Sequence, residues 1–143
     1  MVNNQNYLAV EEFSRIPWLV HGFGLAGFDL ESLKLDFRLA DFQPVEMKQE
    51  HSTRVLVVDR PPDRKVAGDA LITPKAGLLL VVKTADCLPI FLVDTEHQLV
   101  AAVHGGWRGT AGRIAETAFE TMRKSFSTRP DQTLAALGPA IEA

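Results

Sequence analysis

The sequence predicts that residues 1–143 form one globular domain, or part of one, of the mixed α/β class. Three observations lead to this class. Short apolar runs of strand length recur along the chain, the apolar period changes to that of a helix after residue 110, and 46% of the residues are hydrophobic. This composition lies far from the low hydrophobicity and high charge of disordered chains.

The predicted elements begin with short N-terminal pieces and continue with a series of strands. Residues 16–24 are predicted as a short strand ended by glycines, and residues 25–46 as loops or an edge strand. Further strands of apolar residues are expected over residues 55–59, 70–73, 78–83 and 89–94. Residues 95–98 have the composition of a turn, so residues 89–103 are predicted to form a β-hairpin.

The C-terminal segment combines the one clear helix with a final strand. Apolar residues at helical spacing predict a helix that Thr110 caps and that ends near Ser125. Residues 133–137 then form an apolar strand halted by Gly138. Because this strand shows little alternation, its sheet needs cover, and we expect the domain to continue beyond Ala143. A chain ending there should form a homo-oligomer or associate with a second polypeptide through the uncovered strand.

Charge, cysteine content and hydropathy limit the partners and the location. The formal net charge is −3, so the basic footprint of a nucleic-acid-binding protein is missing. No apolar run approaches the ~20 residues that span a bilayer, and no secretory signal pattern opens the chain. The single cysteine excludes an internal disulfide framework and fits a reducing compartment. We therefore expect a cytoplasmic protein with neither a nucleic-acid nor a membrane partner.

The single cysteine, Cys87, lies beside Asp86 between two apolar runs. A free cysteine often only packs in a core, but an aspartate is almost never fully buried without a partner. The pair therefore indicates a site. It offers Cys87 as a reactive thiolate and Asp86 as a general acid or base.

A glycine-rich turn follows the next strand, where His104 precedes the sequence GGWRGT. Glycines let the backbone approach a ligand closely, and the guanidinium of Arg108 offers a planar fork to phosphate. Together with the N–H groups of Gly109 and Thr110 at a helix start, Arg108 is predicted to bind phosphate. A solvated arginine in a tight turn is the alternative.

His51, just before a strand, completes a set of N, S and N ligands with Cys87 and His104. Three protein ligands and an open position are the pattern of catalytic zinc, whereas structural zinc has four protein ligands. The separations in sequence are long and irregular. The chemistry of the residues, and not their spacing, therefore supports this prediction.

Five segments resemble the motifs of the laccase-domain family, which is known as multicopper polyphenol oxidase and is associated with purine nucleoside phosphorylase activity. They are residues 49–51 (QEH), 69–73 (DALIT), 84–89 (TADCLP), 104–109 (HGGWRG) and 137–141 (LGPAI). The resemblance implies packed mixed β-sheets with outer helices, a sandwich similar to that of cysteine hydrolases, and zinc held by His51, Cys87 and His104. Family members usually continue past the last motif, so the chain resembles a member that is incomplete at the C-terminus.

The resemblance implies a zinc-dependent purine nucleoside phosphorylase with adenosine deaminase as a side activity. Its substrates would be phosphate and adenosine, inosine, guanosine or methylthioadenosine. Three alternatives stay open. A cysteine hydrolase or deamidase would use Cys87 as nucleophile and His104 as base, and a partial family member would be inactive. Copper-dependent oxidation of polyphenols is disfavoured, because one cysteine and these histidines cannot supply several copper centres.

Overall fold

The structure, a computed structural model, describes residues 2–3 and 6–141. Within these residues the strands are β1 (Val2–Asn3), β2 (Tyr7–Ala9), β3 (Phe23–Gly24), β4 (Gln43–Glu46), β5 (Val55–Val57), β6 (Ala70–Thr73), β7 (Leu78–Val81), β8 (Leu88–Asp94), β9 (Leu99–Gly105) and β10 (Thr133–Leu137). The helices are α1 (Glu11–Ser14), α2 (Leu30–Asp36), α3 (Trp107–Ala111) and α4 (Ile114–Phe126), with a 3-10 turn at Pro130–Gln132. The predicted mixed α/β class is confirmed.

The chain divides into two units, Met1–Phe42 and Gln43–Ala143. In the first, β1, β2 and β3 form a three-stranded antiparallel sheet. The strand predicted over residues 16–24 is thus wrong except for Phe23–Gly24, and residues 25–46 contain helix α2 as well as strand β4. The helix escapes prediction because seven residues are too few to establish a helical period. That both units belong to one domain stays a prediction.

The second unit is built on a five-stranded sheet with the strand order β10-β8-β9-β6-β5. The predicted hairpin is confirmed, since β8 and β9 pair in antiparallel register from Leu88–Gly105 to Asp94–Leu99. β6 continues the sheet antiparallel to β9, and β5 is parallel to β6. A separate parallel pair, β4 and β7, completes the strands of this unit.

Both faces of this sheet bury apolar side chains. On one face α4 packs through Ile114, Ala118 and Met122, which are four residues apart and fully buried. Each large apolar side chain buried in this way contributes about 1.5–3 kcal/mol. On the other face Leu71 and Leu56 pack against residues of the β4–β7 pair and its flanks. Sheets packed face to face with a helix outside are the architecture that the resemblance to the laccase-domain family implies.

The helical segment after β9 is broken, contrary to the prediction of one helix capped by Thr110. Thr110 lies inside α3, and α4 begins after Arg113, which has a left-handed φ of 65°. A side chain at Gly112 would place its Cβ 2.5 Å from Cγ2 of Thr53. The break therefore occurs where the loop before β5 packs closely against the helical segment.

Strand β10 forms one edge of the five-stranded sheet. Its side chains Leu134 and Leu137 are 39% and 55% exposed, and among the described residues no strand pairs with its outer edge.

We expect the chain to self-associate through this edge, to an extent that rises with concentration in sedimentation velocity. Leu137→Lys should weaken the association, because a charge on an edge strand opposes pairing. A monomer at every concentration would contradict this expectation.

None of the helices in the described part of the chain is long and apolar enough to cross a membrane.

Candidate metal and active site

Four strands of the large sheet meet at one rim. β5 and β6 are parallel and both begin there, and β8 also begins there because Leu88 lies opposite Gly105, the last residue of β9. Val103 of β9 is in turn the partner of Ala70, the first residue of β6. Residues that precede β5, β6 and β8 or end β9 therefore lie close in space, although they are far apart in sequence.

His51, Cys87 and His104 come together at this rim. Their nitrogen and sulfur ligand atoms all lie within 4.8 Å of one another, and Sγ of Cys87 is 3.7 Å from Nε2 of His51. The rings of His51 and His104 meet edge to face with centroids 4.9 Å apart. The convergence that the sequence predicts is confirmed, and the role of the three residues as ligands stays a prediction.

The donor set and the spacing fit a zinc ion. Zn–S bonds of about 2.3 Å and Zn–N bonds of about 2.0–2.1 Å in tetrahedral geometry place sulfur and nitrogen about 3.5 Å apart, close to the 3.7 Å between Cys87 and His51. His104 is buried, Cys87 is half-buried and His51 is exposed. The cluster is therefore open to solvent on one side, as a catalytic metal site requires.

The buried residue Asp69 organises this cluster. It is fully shielded from solvent, and its carboxylate accepts five hydrogen bonds, from the backbone N–H groups of Glu50, His51 and Ser52, the hydroxyl of Ser52 and the ring of His104. One carboxylate thus holds both the loop that carries His51 and the imidazole of His104. Sequence reasoning did not assign Asp69 to the site. The available signal was an acidic residue directly before the largely apolar strand β6.

The hydrogen bond to Asp69 fixes which ring nitrogen of His104 faces the carboxylate. Burial alone would raise the pKa of the Asp69 carboxyl, but hydrogen bonds from Ser52, His104 and the backbone lower this pKa from 3.8 to about 2. The carboxylate can only accept, and Nδ1 of His104 is 2.8 Å from its Oδ1, so Nδ1 carries the proton. Nε2 is then the nitrogen of His104 that is left to bind a metal, through its lone pair in the neutral imidazole.

The backbone of His51 is held in a conformation that non-glycine residues seldom adopt. Its φ is 60°, in the left-handed region, and its N–H donates to Oδ1 of Asp69 at 3.0 Å. Gly106 leaves the space that the His51 ring occupies, because a Cβ at this position would lie 2.3 Å from Cδ2 of His51. The glycine in the turn after β9 therefore makes room for a candidate metal ligand.

Gly106→Ala should displace the His51 ring and weaken zinc binding by about tenfold or more, the effect expected when a metal ligand loses its support. Gly77→Ala is the control, because Gly77 has a φ of 82° and open space around its Cβ position. This control should lower the melting temperature through backbone strain and leave zinc affinity unchanged. Equal zinc affinity in both variants, measured by chelator competition, would show that Gly106 does not shape the site.

The residues predicted to bind phosphate lie in α3. The guanidinium of Arg108 is exposed and stacks on the exposed indole of Trp107, with its Cζ 4.9 Å from the ring centroid. Thr110 is also exposed, whereas Gly109 is buried and a Cβ there would lie 3.0 Å from the carbonyl oxygen of Ser52. Gly109 therefore packs α3 against the loop that carries His51. Phosphate binding by Arg108, Gly109 and Thr110 stays a prediction.

Asp86 lies in an exposed segment directly before Cys87. Its backbone carbonyl accepts a hydrogen bond from the N–H of Ile141 at 3.2 Å, so the segment that follows β10 contacts the loop that carries the cysteine. The exposed carboxylate of Asp86 is available to a ligand at the rim. Its role as general acid or base stays a prediction.

Fold and site together define a class of protein: a mixed α/β fold with a candidate three-ligand metal site, open on one side, at the rim of a β-sheet. The chain belongs to the family described as multi-copper polyphenol oxidoreductase laccase, which matches residues 31–143. Family membership is thus shown over most of the chain, including all three candidate ligands.

Relatives of this chain are named as enzymes of purine nucleosides. "Adenosine deaminase RL5", from an unknown prokaryotic organism, is 44% identical over 103 residues, which are 66% of this chain and 39% of that protein. A purine nucleoside phosphorylase of Deinococcus radiodurans is 39% identical over 107 residues, which are 75% of this chain and 40% of that protein. The chain spans about two fifths of the length of these curated relatives.

Solved structures share the fold. The crystal structure of YlmD from Geobacillus stearothermophilus has a TM-score of 0.71 and 34% identity, over 78% of this chain and 44% of that chain. A Bacillus licheniformis protein named YfiH has a TM-score of 0.69 and 30% identity, over 77% of this chain and 45% of that chain.

Proposed function

We propose that this chain carries the metal site of a zinc-dependent purine nucleoside phosphorylase that also deaminates adenosine. The observation that carries the proposal is the convergence of His51, Cys87 and His104 within 4.8 Å at a rim open to solvent. The relatives named purine nucleoside phosphorylase and adenosine deaminase support the choice of reaction. The proposed substrates are phosphate and adenosine, inosine, guanosine or methylthioadenosine.

The donor set favours one zinc ion over several copper ions. His51, Cys87 and His104 form the single cluster of this kind found among the described residues, and a multicopper oxidase needs several centres. Two imidazoles and one thiolate suit zinc, which has no redox chemistry of its own. A zinc ion with three protein ligands supplies an open coordination position and acidifies water there.

The residues around the cluster supply binding and proton transfer. Asp69 orients the ring of His104 by accepting from Nδ1, so that Nε2 is the nitrogen left for a metal, and Gly106 makes room for the ring of His51. Asp86 is the proposed general acid or base, because its carboxylate is exposed at the same rim, next to Cys87. A carboxylate within reach of the reacting atoms can accept a proton from one group and return it to another.

Arg108 is the proposed phosphate-binding residue. Arg108→Ala should raise the KM for phosphate about tenfold or more and change the melting temperature little, because an exposed guanidinium adds little to stability. Arg108→Lys should recover only part of the affinity, since an ammonium cannot form the planar fork. Arg123→Ala, which removes an exposed arginine paired with Glu120 on α4, should leave the KM unchanged. Parallel losses of stability and activity at Arg108 would indicate a structural arginine.

Metal analysis of the purified chain, together with inosine turnover with and without phosphate, tests the proposed function. We expect one zinc ion per chain and release of hypoxanthine only with phosphate, and ammonia release from adenosine tests the deaminase activity. Turnover that does not require phosphate would contradict phosphorolysis. Stoichiometric zinc without any turnover would favour a partial, inactive family member.

A cysteine hydrolase or deamidase is the second candidate, and one observation favours it. The hydrogen bond of Asp69 to His104, with Cys87 beside the imidazoles, is also the arrangement of a catalytic triad. In it Cys87 would be the nucleophile, His104 the base and Asp69 the carboxylate that orients the base. In this case Cys87 should react with iodoacetamide in the metal-free chain, and added zinc should inhibit turnover of an amide substrate. In the zinc enzyme, added zinc should instead restore activity.

A further inference from the structure

The side chain of Gln49 fills a position in a backbone ladder. β4 and β7 pair in parallel from Gln43–Leu78 to Glu46–Val81. Beyond Glu46 the chain that follows β4 diverges from β7, and the backbone of Lys48 pairs instead with the segment around Ala67. Lys83 lies two residues past the end of β7, and both of its backbone polar groups bind the side chain of Gln49. Nε2 of Gln49 donates to the carbonyl oxygen of Lys83 at 2.7 Å, and the N–H of Lys83 donates to Oε1 of Gln49 at 2.8 Å.

A primary amide is the group that can satisfy both partners at once. Its oxygen accepts and its nitrogen donates, as in a peptide group, so the amide of Gln49 continues the ladder where the backbone of β4 no longer can. A carboxylate in its place accepts from the N–H of Lys83 but places a second acceptor against the carbonyl oxygen. The two bonds also fix which atom of the amide is oxygen and which is nitrogen.

These two hydrogen bonds join the loops that carry two of the candidate ligands. Gln49 is two residues before His51, and Lys83 is four residues before Cys87. Asp69 links the loop of His51 to His104, and the β8–β9 register links Cys87 to His104. Gln49 adds two hydrogen bonds between the loop of His51 and the backbone that leads to Cys87, beside the contact of the two ligand atoms themselves.

We propose that Gln49 is a positioning residue of the metal site, which holds Sγ of Cys87 and Nε2 of His51 at the separation that a shared metal ion needs. This inference rests on the proposed metal binding. The nearby ion pairs do not fix this separation. Glu46 contacts the ammonium groups of Lys65 and Lys83, but both lysines are largely exposed, and exposed ion pairs contribute little to holding a fixed geometry.

Titration of the metal-free 143-residue chain with Co²⁺ tests the proposal, because the near-ultraviolet charge-transfer absorption between thiolate and cobalt reports Cys87 in the coordination shell. Gln49→Glu should bind Co²⁺ and Zn²⁺ about tenfold more weakly or worse, with a weaker or shifted thiolate band. Electrostatics alone predicts the opposite sign, since a new carboxylate near a cation site should strengthen binding. A lower metal affinity in Gln49→Glu would therefore show that the arrangement of the ligands, and not the added charge, has changed.

Two further variants complete the experiment. Gln49→Met removes both hydrogen bonds without adding charge and should weaken metal binding at least as much. Gln98→Glu makes the same charge change at an exposed residue of the β8–β9 turn and should match the wild type. A Gln49 with a merely structural role would lower the melting temperature of its variants and leave the cobalt spectrum and affinity of the folded chain unchanged.

The experiment distinguishes a failure of the proposed role of Gln49 from a failure of the proposed metal site. A wild-type chain that binds Co²⁺ with a thiolate band, and Gln49 variants that bind it equally well, would overturn the role of Gln49 and leave the metal site standing. A wild-type chain that develops no thiolate band at any Co²⁺ concentration would overturn both the metal site and the role of Gln49. Weaker binding in both Gln49 variants with an unchanged Gln98 control is the expected result.

Discussion

Cys87→Ser should lower the affinity of the chain for zinc by more than about a hundredfold, because losing even an outer partner of a metal ligand costs about ten- to a hundredfold. Serine is close to cysteine in size, but its hydroxyl stays protonated at neutral pH and is a far poorer ligand than a thiolate. Cys87 is only half-buried, so the melting temperature of the metal-free chain should change little. Competition against a chromophoric chelator measures the affinity.

His97→Ala is a matched control for this experiment. Nδ1 of His97 lies 2.8 Å from Oδ2 of the buried Asp94, as Nδ1 of His104 does from Asp69, but His97 lies outside the ligand cluster. Its loss should leave zinc affinity unchanged. Zinc affinity at the wild-type level in Cys87→Ser would refute the proposed metal site.

Asp69→Asn should lower the free energy of unfolding by roughly 3 kcal/mol or more and weaken zinc binding at least tenfold. Each hydrogen bond to a buried carboxylate is worth about 1.5–3 kcal/mol, and Asp69 accepts five of them. An asparagine keeps one oxygen and turns an NH₂ group toward groups that also donate. Both His51 and His104 then lose their support. Urea unfolding and chelator competition measure the two effects.

Asp94→Asn separates the loss of stability from the loss of the site. Asp94 is also fully buried and accepts from the backbone N–H groups of Glu96 and His97 and from the ring of His97, at the far end of the β8–β9 hairpin. This variant should lose stability and keep zinc affinity. If it lost zinc affinity as Asp69→Asn does, general destabilisation would explain both results.

Acid should reduce the difference in stability between the wild type and Asp69→Asn. The pKa of Asp69 falls from 3.8 to about 2 in the folded chain, so the folded state favours the carboxylate. The stability that this carboxylate contributes is complete above about pH 4 and is lost as the pH falls toward 2. Urea unfolding between these pH values should therefore show the two proteins converging.

Parts of the fold follow from local sequence. Strands β6 and β10 have the bounds predicted for them, because short apolar runs between turn-forming residues leave little choice of element. Helix α2 was missed, since a helix of seven residues is marginal by itself and depends on packing. The break between α3 and α4 was missed for a related reason: it lies where Thr53 packs against Gly112, a contact between residues far apart in sequence.

The sequence alone determined the chemistry that the chain can offer: one thiol, a few imidazoles and the arginine of a glycine-rich turn, in segments that resemble a known family. The tertiary structure decided which of these groups meet, because the sheet register brings the end of β9 and the beginnings of β5, β6 and β8 to one rim. It also decided the roles of Asp69 and Gln49, which sequence reasoning left out of the site. Their hydrogen bonds connect residues 17 to 35 positions apart, and no local propensity encodes a partner at that distance.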